Sequence, residues 1–262
     1  MPAEILDPFI LFFSAISGII VGFSLGLIGG GGSILAVPLL LYVVGVKDTH
    51  IAIGTSSLAV GIIAALSLIS RKKSGNIKMK KGLTFAISGI AGTLIGAQLG
   101  LWTAPEHILI FFAGFMCVVG FLMLRKSNLT KEITGRNHSL VLIKRNIPLS
   151  GFSVGLLAGY FGIGGGFLIV PTMMYSGGLN IMQAIGTSLI PVSSFGITTA
   201  TRYLIAGQID LIIAVLLVMG GMIGGFLGTK TSQKIPIENL SKIFALLLFV
   251  VATYIVIRTV IM

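Results

Sequence analysis

Two clusters of glycine interrupt the apolar sequence at matching places. The stretch GLIGGGGSILAVP covers residues 26–38 in the first half of the chain, and GYFGIGGGFLIVP covers residues 159–171 in the second half. The apolar runs beside these clusters, 33–46, 149–162 and 166–178, are shorter than the roughly 20 residues that a helix needs to cross a bilayer. Short runs around a glycine break predict half-helices that meet inside the membrane.

The composition places the chain in lipid. Hydrophobic residues make up 55% of its 262 residues and charged residues only 10%, against about 25% charged in a soluble domain. The apolar runs are continuous and do not alternate as the strands of a β-barrel do. The sequence therefore predicts an all-α polytopic protein of the cell (inner or plasma) membrane. Its net charge of +11 comes mostly from loops between the runs, which indicates cytoplasmic loops and argues against a nucleic-acid partner.

The two halves of the chain repeat each other. A constant shift that places Gly26 on Gly159 superimposes the glycine clusters. A shift shorter by one position, called the repeat shift below, places AIGTS of residues 52–56 on AIGTS of residues 184–188. Matches at this density indicate a duplication. We expect a first repeat at 9–124, a basic cytoplasmic linker at 125–148 and a second repeat at 149–261, which together form one transmembrane domain.

The charge of the loops predicts that the repeats have inverted topology. Loop 71–81 carries six Lys or Arg residues and the linker carries six more, whereas the counterpart of that loop, about 203–210, carries none. The positive-inside rule then puts the two counterpart loops on opposite sides. Each repeat would hold one re-entrant helix hairpin plus three transmembrane helices, with both termini outside the cytoplasm. Run 9–28 is itself long enough to span, and if it does, a parallel repeat becomes the alternative.

Ionisable side chains are missing from the middle of the apolar runs. Every Asp, Glu and His lies near the end of a run or in a loop, and neither a nucleophile–base pair nor a phosphate-binding loop with its lysine is visible. The single cysteine, Cys117, can neither pair within the chain nor build a metal site. These observations predict a protein that is not an enzyme and that needs no cofactor or metal.

The glycine clusters offer a way to bind an anion without a buried cation. A helix N-terminus exposes unpaired N–H groups and a partial positive charge, and we expect the second half-helix of each pair to begin at Ser33 and at Gly166. Two such ends facing a shared site near the midplane would suit a small anion. The alternative is that the glycines only allow close packing of helices. The predicted binding residues here are Gly29, Gly30, Gly31, Gly32, Ser33, Gly162, Gly164, Gly165 and Gly166.

Hydroxyl groups in the repeated AIGTS motif are further candidates for the site, because they can donate to an oxyanion at no cost in charge. They are Thr55, Ser56, Thr187 and Ser188, together with the neighbouring Ser57. The alternative is that each hydroxyl bonds the carbonyl oxygen four residues back in its own helix.

A few other polar and aromatic residues lie at or near the ends of runs. Gln98 and Gln183 could join the site or bridge helices, and Arg202 could attract anions at an outer vestibule or simply extend its charge to the interface. Trp102 and Tyr203 are predicted to be interfacial anchors.

The repeated GxxxGxxGxGGG…P breaks, each followed by AIGTS, resemble the TauE/SafE family of sulfite-exporter-like permeases over roughly residues 14–260. The resemblance implies transport of sulfite, sulfonates or related sulfur oxyanions across the bacterial inner membrane. We therefore expect a permease that binds a small anion and works by alternating access. A channel-like anion facilitator and a non-transporting assembly or scaffold protein are the alternatives. The oligomeric state stays open, a homodimer included.

Overall fold

The computed structural model describes residues 8–71, 77–118, 146–231 and 252–253, and every regular element in these ranges is a helix. This confirms the predicted all-α class. Most of the predicted linker and most of the last apolar run lie outside the described residues, and α6 begins at Ile147, just inside the predicted end of the linker. The α-helices are α1 (Pro8–Ile28), α2 (Ala36–Leu39), α3 (Thr49–Arg71), α4 (Met79–Trp102), α5 (Pro105–Val118), α6 (Ile147–Phe161), α7 (Gly166–Gly177), α8 (Ile181–Ile205) and α9 (Leu211–Thr231).

Five of these helices, α1, α3, α4, α8 and α9, are long and apolar enough to cross a membrane. Helices α3 and α8 are the most buried of the five. Helix α1 is connected to α2 by a 3₁₀-helix, Gly29–Leu35, and α2 continues into a π-helical turn, Leu40–Val44. The shorter α6 and α7 flank the second glycine cluster.

The chain divides into two compact units. The first contains residues 1–102 and 145–233, and the second contains residues 103–144 and 234–262. In the second unit, α5 buries residues spaced at three to four positions, which is the helical period. These buried residues are Ile108, Phe112, Ala113 and Met116. Both glycine clusters and the AIGTS motifs lie in the first unit.

Glycine seams join helices of different repeats in the first unit. A Cβ placed on Gly22 of α1 would lie 2.1 Å from the carbonyl oxygen of Gly221 of α9, and one on Gly155 of α6 would lie 2.1 Å from that of Gly89 of α4. The shift that places Gly26 on Gly159 also places Gly22 on Gly155, and the repeat shift places Gly89 on Gly221. The two pairs therefore occupy equivalent positions in the two repeats. Backbones this close admit only glycine, as is common between membrane helices. The pairs Gly18–Leu217 and Gly151–Phe85, and Gly26–Gly225 and Gly159–Thr93, are related in the same way.

The order of these contacts gives the helix directions. Residue numbers rise together along the seams of α1 with α9 and of α4 with α6, so each pair is parallel. Helices α3 and α8 are antiparallel, because Gly54 approaches Tyr203 whereas Gly61 approaches Gly196. Helix α7 returns towards the end of α4 beside which α6 starts, where Lys81 Nζ donates to the carbonyl oxygen of Gly177 at 2.6 Å.

Candidate functional site

The second glycine cluster turns the chain through left-handed backbone conformations. Gly162, Gly164 and Gly165 have φ of 65°, 61° and 66°, which a residue with a Cβ adopts only at a cost. Helix α7 begins at Gly166, as predicted. The amides of Leu168 and Ile169 both donate to the carbonyl oxygen of Gly165 at 3.0 Å, so the first turn of α7 opens directly after the three glycines.

This glycine turn, defined as residues 162–166, is buried against the middle of α3 and α8. Ser57 Oγ of α3 lies 2.7 Å from the carbonyl oxygens of both Ile53 and Gly162, and its single proton can serve only one of them at a time. A Cβ on Gly164 would lie 3.3 Å from methyl carbons of Val60 and Val192. The glycine turn therefore sits where the two most buried helices meet.

The first glycine cluster is built differently, and the prediction for Ser33 is wrong. Gly29 has a φ of 75°, but the 3₁₀-helix runs through Ser33 and regular α-helix starts only at Ala36. In a 3₁₀-helix each amide donates to the carbonyl three residues back, so Ser33 is no free helix start. The serine is fully buried. The segment Gly29–Leu35 packs against α7, which brings the two clusters together.

The repeated threonines hold loops in place. Thr55 Oγ1 accepts a hydrogen bond from the amide of Asp210 at 2.9 Å, and Thr187 Oγ1 accepts one from the amide of Lys78 at 3.0 Å. These two bonds are related by the repeat shift. Each connects the AIGTS motif of one repeat to the loop before a helix in the other repeat.

The repeated serines bond their own helices. Ser56 Oγ donates to the carbonyl oxygen of Ile53 at 3.0 Å, and Ser188 Oγ donates to that of Ile185 at 2.9 Å. The partner is three residues back, where the sequence-based alternative placed it four residues back. All four hydroxyl residues of the prediction are fully buried.

A polar cleft lies at one end of the first unit, about 340 Å³ in volume. Arg202 Nη2 donates to Gln98 Oε1 at its wall. A second cleft of about 410 Å³ shares Gln98, Trp102 and Arg202 with the first. Gln98 and Arg202, two of the further candidates, line both clefts, whereas none of the predicted glycines and hydroxyl residues lines either. The first cleft is lined by His50, Gln98, Leu101, Trp102, Arg202, Ile205, Ala206 and Gln208.

The two predicted aromatic anchors differ in the structure. Trp102 is 76% exposed, as an interfacial residue would be, but Tyr203 is fully buried, so its prediction is wrong. Tyr203 packs towards Gly54 and Gly100 of the neighbouring helices, where glycines leave room for its ring. Sequence reasoning also missed His50 and Gln208, which approach Arg202 only because α3 and α8 are antiparallel.

Within the described ranges, no group of three or more His, Cys, Asp or Glu residues is placed to hold a metal ion. The apolar helices, their glycine seams and the buried glycine turn define a multi-pass α-helical membrane protein. The chain belongs to the sulfite exporter TauE/SafE family, whose model matches residues 14–255. It is thus a membrane transporter of that family.

Several similar proteins are also described as membrane transporters. A probable membrane transporter protein of Xylella fastidiosa (strain Temecula1) is 38% identical over 247 residues, which cover 93% of this chain and 94% of the relative. One of Haemophilus influenzae is 30% identical over 257 residues, covering 90% and 94%. The Bacillus subtilis protein YdhB, also a probable membrane transporter, is 27% identical over 217 residues, covering 83% and 88%. No solved structure matches the chain significantly.

Proposed function

We propose that the protein moves a small anion, a sulfite, sulfonate or related sulfur oxyanion, across the membrane by alternating access. The observation that carries the proposal is the glycine turn. Three left-handed glycines place backbone without a Cβ at the buried start of α7, at the depth where Val60 and Val192 mark the centres of α3 and α8. Helix N-termini of this kind bind oxyanions through amides and the helix dipole.

The substrate class follows from charge and from the family. An amide site adds no fixed cation to the membrane interior, so it stays neutral when empty and favours a small anion over a cation. The matched family is described as a sulfite exporter, and the several oxygens of sulfite or a sulfonate can each accept a hydrogen bond from a backbone amide. We assign Gly162, Gly164, Gly165 and Gly166 the leading role, with the segment Gly29–Ser33 facing them. Ser56 and Ser188 donate their single hydroxyl protons to their own helices, so of the repeated hydroxyls we keep only Thr55 and Thr187 as proposed members of the site.

We also propose that the two halves are inverted-topology repeats, each with a re-entrant hairpin. The antiparallel packing of the counterpart helices α3 and α8 supports inversion. The hairpin of α6 and α7, which leaves and returns on the Lys81 side, supports re-entry in the second repeat. Such repeats let one site open alternately to each side by rocking of one half against the other.

Flux into proteoliposomes tests the proposal. Purified protein is reconstituted, and uptake of ³⁵S-sulfite, thiosulfate, methanesulfonate and acetate is followed while pH and sodium are varied. Saturable uptake of the sulfur anions above protein-free vesicles is expected. Charge-carrying flux that does not saturate and needs no gradient of a second ion would favour the channel-like facilitator. Equal flux with and without protein for every anion would favour the alternative that the protein is a non-transporting scaffold.

A further inference from the structure

The polar cleft at Arg202 has no role in the site described so far. We propose that it is the anion-selective entrance to the glycine turn from one side of the membrane, an assignment that rests on the proposed function. Its ligand class is the same small sulfonate or sulfur oxyanion. The cleft brings together residues from the start of α3, the end of α4 and the end of α8.

The cleft carries one fixed positive charge and neutral hydrogen-bonding groups. Arg202 spends one N–H group on Gln98, and a guanidinium has five N–H donors in a planar fork that suits oxyanions. The amides of Gln98 and Gln208 and the imidazole of His50 add further hydrogen-bonding groups. No Asp or Glu is among the described residues that line the cleft. An anion in the cleft would therefore meet one cation and no lining carboxylate.

Buried polar atoms beside the cleft lack a protein partner. They are His50 Nδ1, Gln208 Oε1 and the hydroxyl oxygen of Tyr203. Buried polar groups are nearly always hydrogen-bonded, to water or ligand if not to protein. The imidazole tautomer and the amide orientation can both reverse to present a donor. The rings of His50 and Tyr203 are 6.2 Å apart, so these groups converge on one small region.

The cleft is aligned with the glycine turn along a single face of α3. His50, Ile53, Ser57 and Val60 are spaced by three, four and three residues, which places them in one row on a helix. His50 lines the cleft, Ser57 bonds the carbonyl of Gly162, and Val60 contacts the Gly164 position. At 1.5 Å per residue the row is about 15 Å long. Ile53, Ser57 and Val60 are fully buried in the structure, so an anion would reach the glycine turn along this row only when the helices part during transport.

The cleft is not duplicated in the other repeat. The repeat shift converts Arg202, His50 and Gln98 into Ser70, Met182 and Lys230. The position of Gln98 thus has a cationic counterpart, Lys230, on α9. Replacement of Lys230 removes one positive charge outside the cleft and provides a matched control for Arg202.

Trp102 is the only tryptophan of the chain and lines the cleft, so its fluorescence reports cleft occupancy independently of transport. The full-length protein in nanodiscs is titrated with iodide, caesium and acrylamide at constant ionic strength. A unit charge about 7 Å away in water changes the local concentration of a monovalent ion by about threefold. With each ion's quenching divided by its quenching of free N-acetyltryptophanamide, we expect iodide to quench more strongly than caesium, and methanesulfonate to protect Trp102 against iodide.

The Arg202→Gln variant should lose about threefold in iodide quenching and all protection by methanesulfonate, with acrylamide quenching unchanged. Lys230→Gln should behave as the unaltered protein does. Equal relative quenching by iodide and caesium in the unaltered protein, each referred to N-acetyltryptophanamide, overturns the proposal, and this test needs no variant. An equal loss of iodide quenching in both variants overturns it as well. Selective quenching without flux of any anion would retain the cleft as an anion site and remove the transport role. Flux of sulfur anions without selective iodide quenching would retain the transport role and remove the cleft as an anion site.

Discussion

Val60 of α3 and Val192 of α8 pack against the same residue, Gly164, each with a methyl carbon 3.3 Å from the place of its missing Cβ. The valines are counterparts, since the repeat shift places one on the other. A residue that contacts both copies of one repeated position lies close to the pseudo-symmetry axis of the fold. The proposed anion site therefore coincides with the place about which the two halves would move.

The glycine seams should be the least tolerant places in the fold. Gly22→Ala would put a Cβ 2.1 Å from the carbonyl oxygen of Gly221. Overpacking of this kind costs about 1–3 kcal/mol or more, because neither backbone can give way. We expect a clear drop in the apparent melting temperature in detergent. Gly114→Ala, whose Cβ would meet none of the described residues within 4 Å, is the control and should be neutral or slightly stabilising, since alanine favours a helix.

The equivalent seam between α4 and α6 should lose as much stability on substitution as the seam between α1 and α9. Gly155→Ala faces the carbonyl oxygen of Gly89 at the same 2.1 Å, so its loss of stability should match that of Gly22→Ala. A large difference between the two variants would contradict the equivalence of the seams.

The repeated threonines should contribute equally to stability. Thr55→Val and Thr187→Val each remove one buried hydrogen-bond acceptor from a loop amide. The amide left behind loses its partner, which costs about 1–3 kcal/mol. Thermal unfolding should show both losses, while Thr55→Ser and Thr187→Ser retain the oxygen and most of the stability. Unchanged unfolding of the valine variants would show that water replaces the threonine oxygen at no cost.

Accessibility of single cysteines tests the inverted arrangement. The only native cysteine is replaced (Cys117→Ser), and Lys78→Cys or Ala206→Cys is introduced. Positive-inside charge places Lys78 in the cytoplasm, and the antiparallel α3 and α8 place Ala206 at the other end of the bundle from it. An impermeant maleimide added to intact cells should label Ala206→Cys and not Lys78→Cys. Labelling of both or of neither would refute the inversion.

The sequence predicted the repeat and the second glycine turn because both depend on residues with strong local preferences. Three glycines in succession permit left-handed backbone almost anywhere, and the start of α7 at Gly166 follows from that. Ser33 was placed wrongly because GGGGS also permits a 3₁₀-helix, a choice that packing of Gly32 against Leu25 decides. Local sequence does not encode such a tertiary contact.

The polar cleft could not be predicted from spacing alone. His50 and Arg202 lie in different halves of the sequence, and only the antiparallel contact of α3 with α8 brings them to one end of the fold. The sequence predicts an interfacial anchor at Tyr203 because this residue lies near the end of an apolar run, beside an arginine. Glycines on α3 and α4 instead make room for its ring inside the protein. The signal that could have found the cleft was the predicted inversion of the repeats, because antiparallel counterpart helices would bring together the start of α3 and the end of α8.

The central claim is tested most directly by comparing two glycine-to-alanine variants in one flux assay. Gly164→Ala and Gly45→Ala both place a Cβ on left-handed backbone, with φ of 61° and 87°, at a cost of about 1–2 kcal/mol each. A Cβ on Gly45 would meet no residue within 4 Å in the part of the chain that the structure describes, whereas Gly164 lies between Val60 and Val192. With equal amounts of folded protein in proteoliposomes, we expect Gly164→Ala to lose at least tenfold in the initial rate of ³⁵S-sulfite uptake and Gly45→Ala to retain most of it. Equal rates in the two variants would contradict an anion site at the glycine turn.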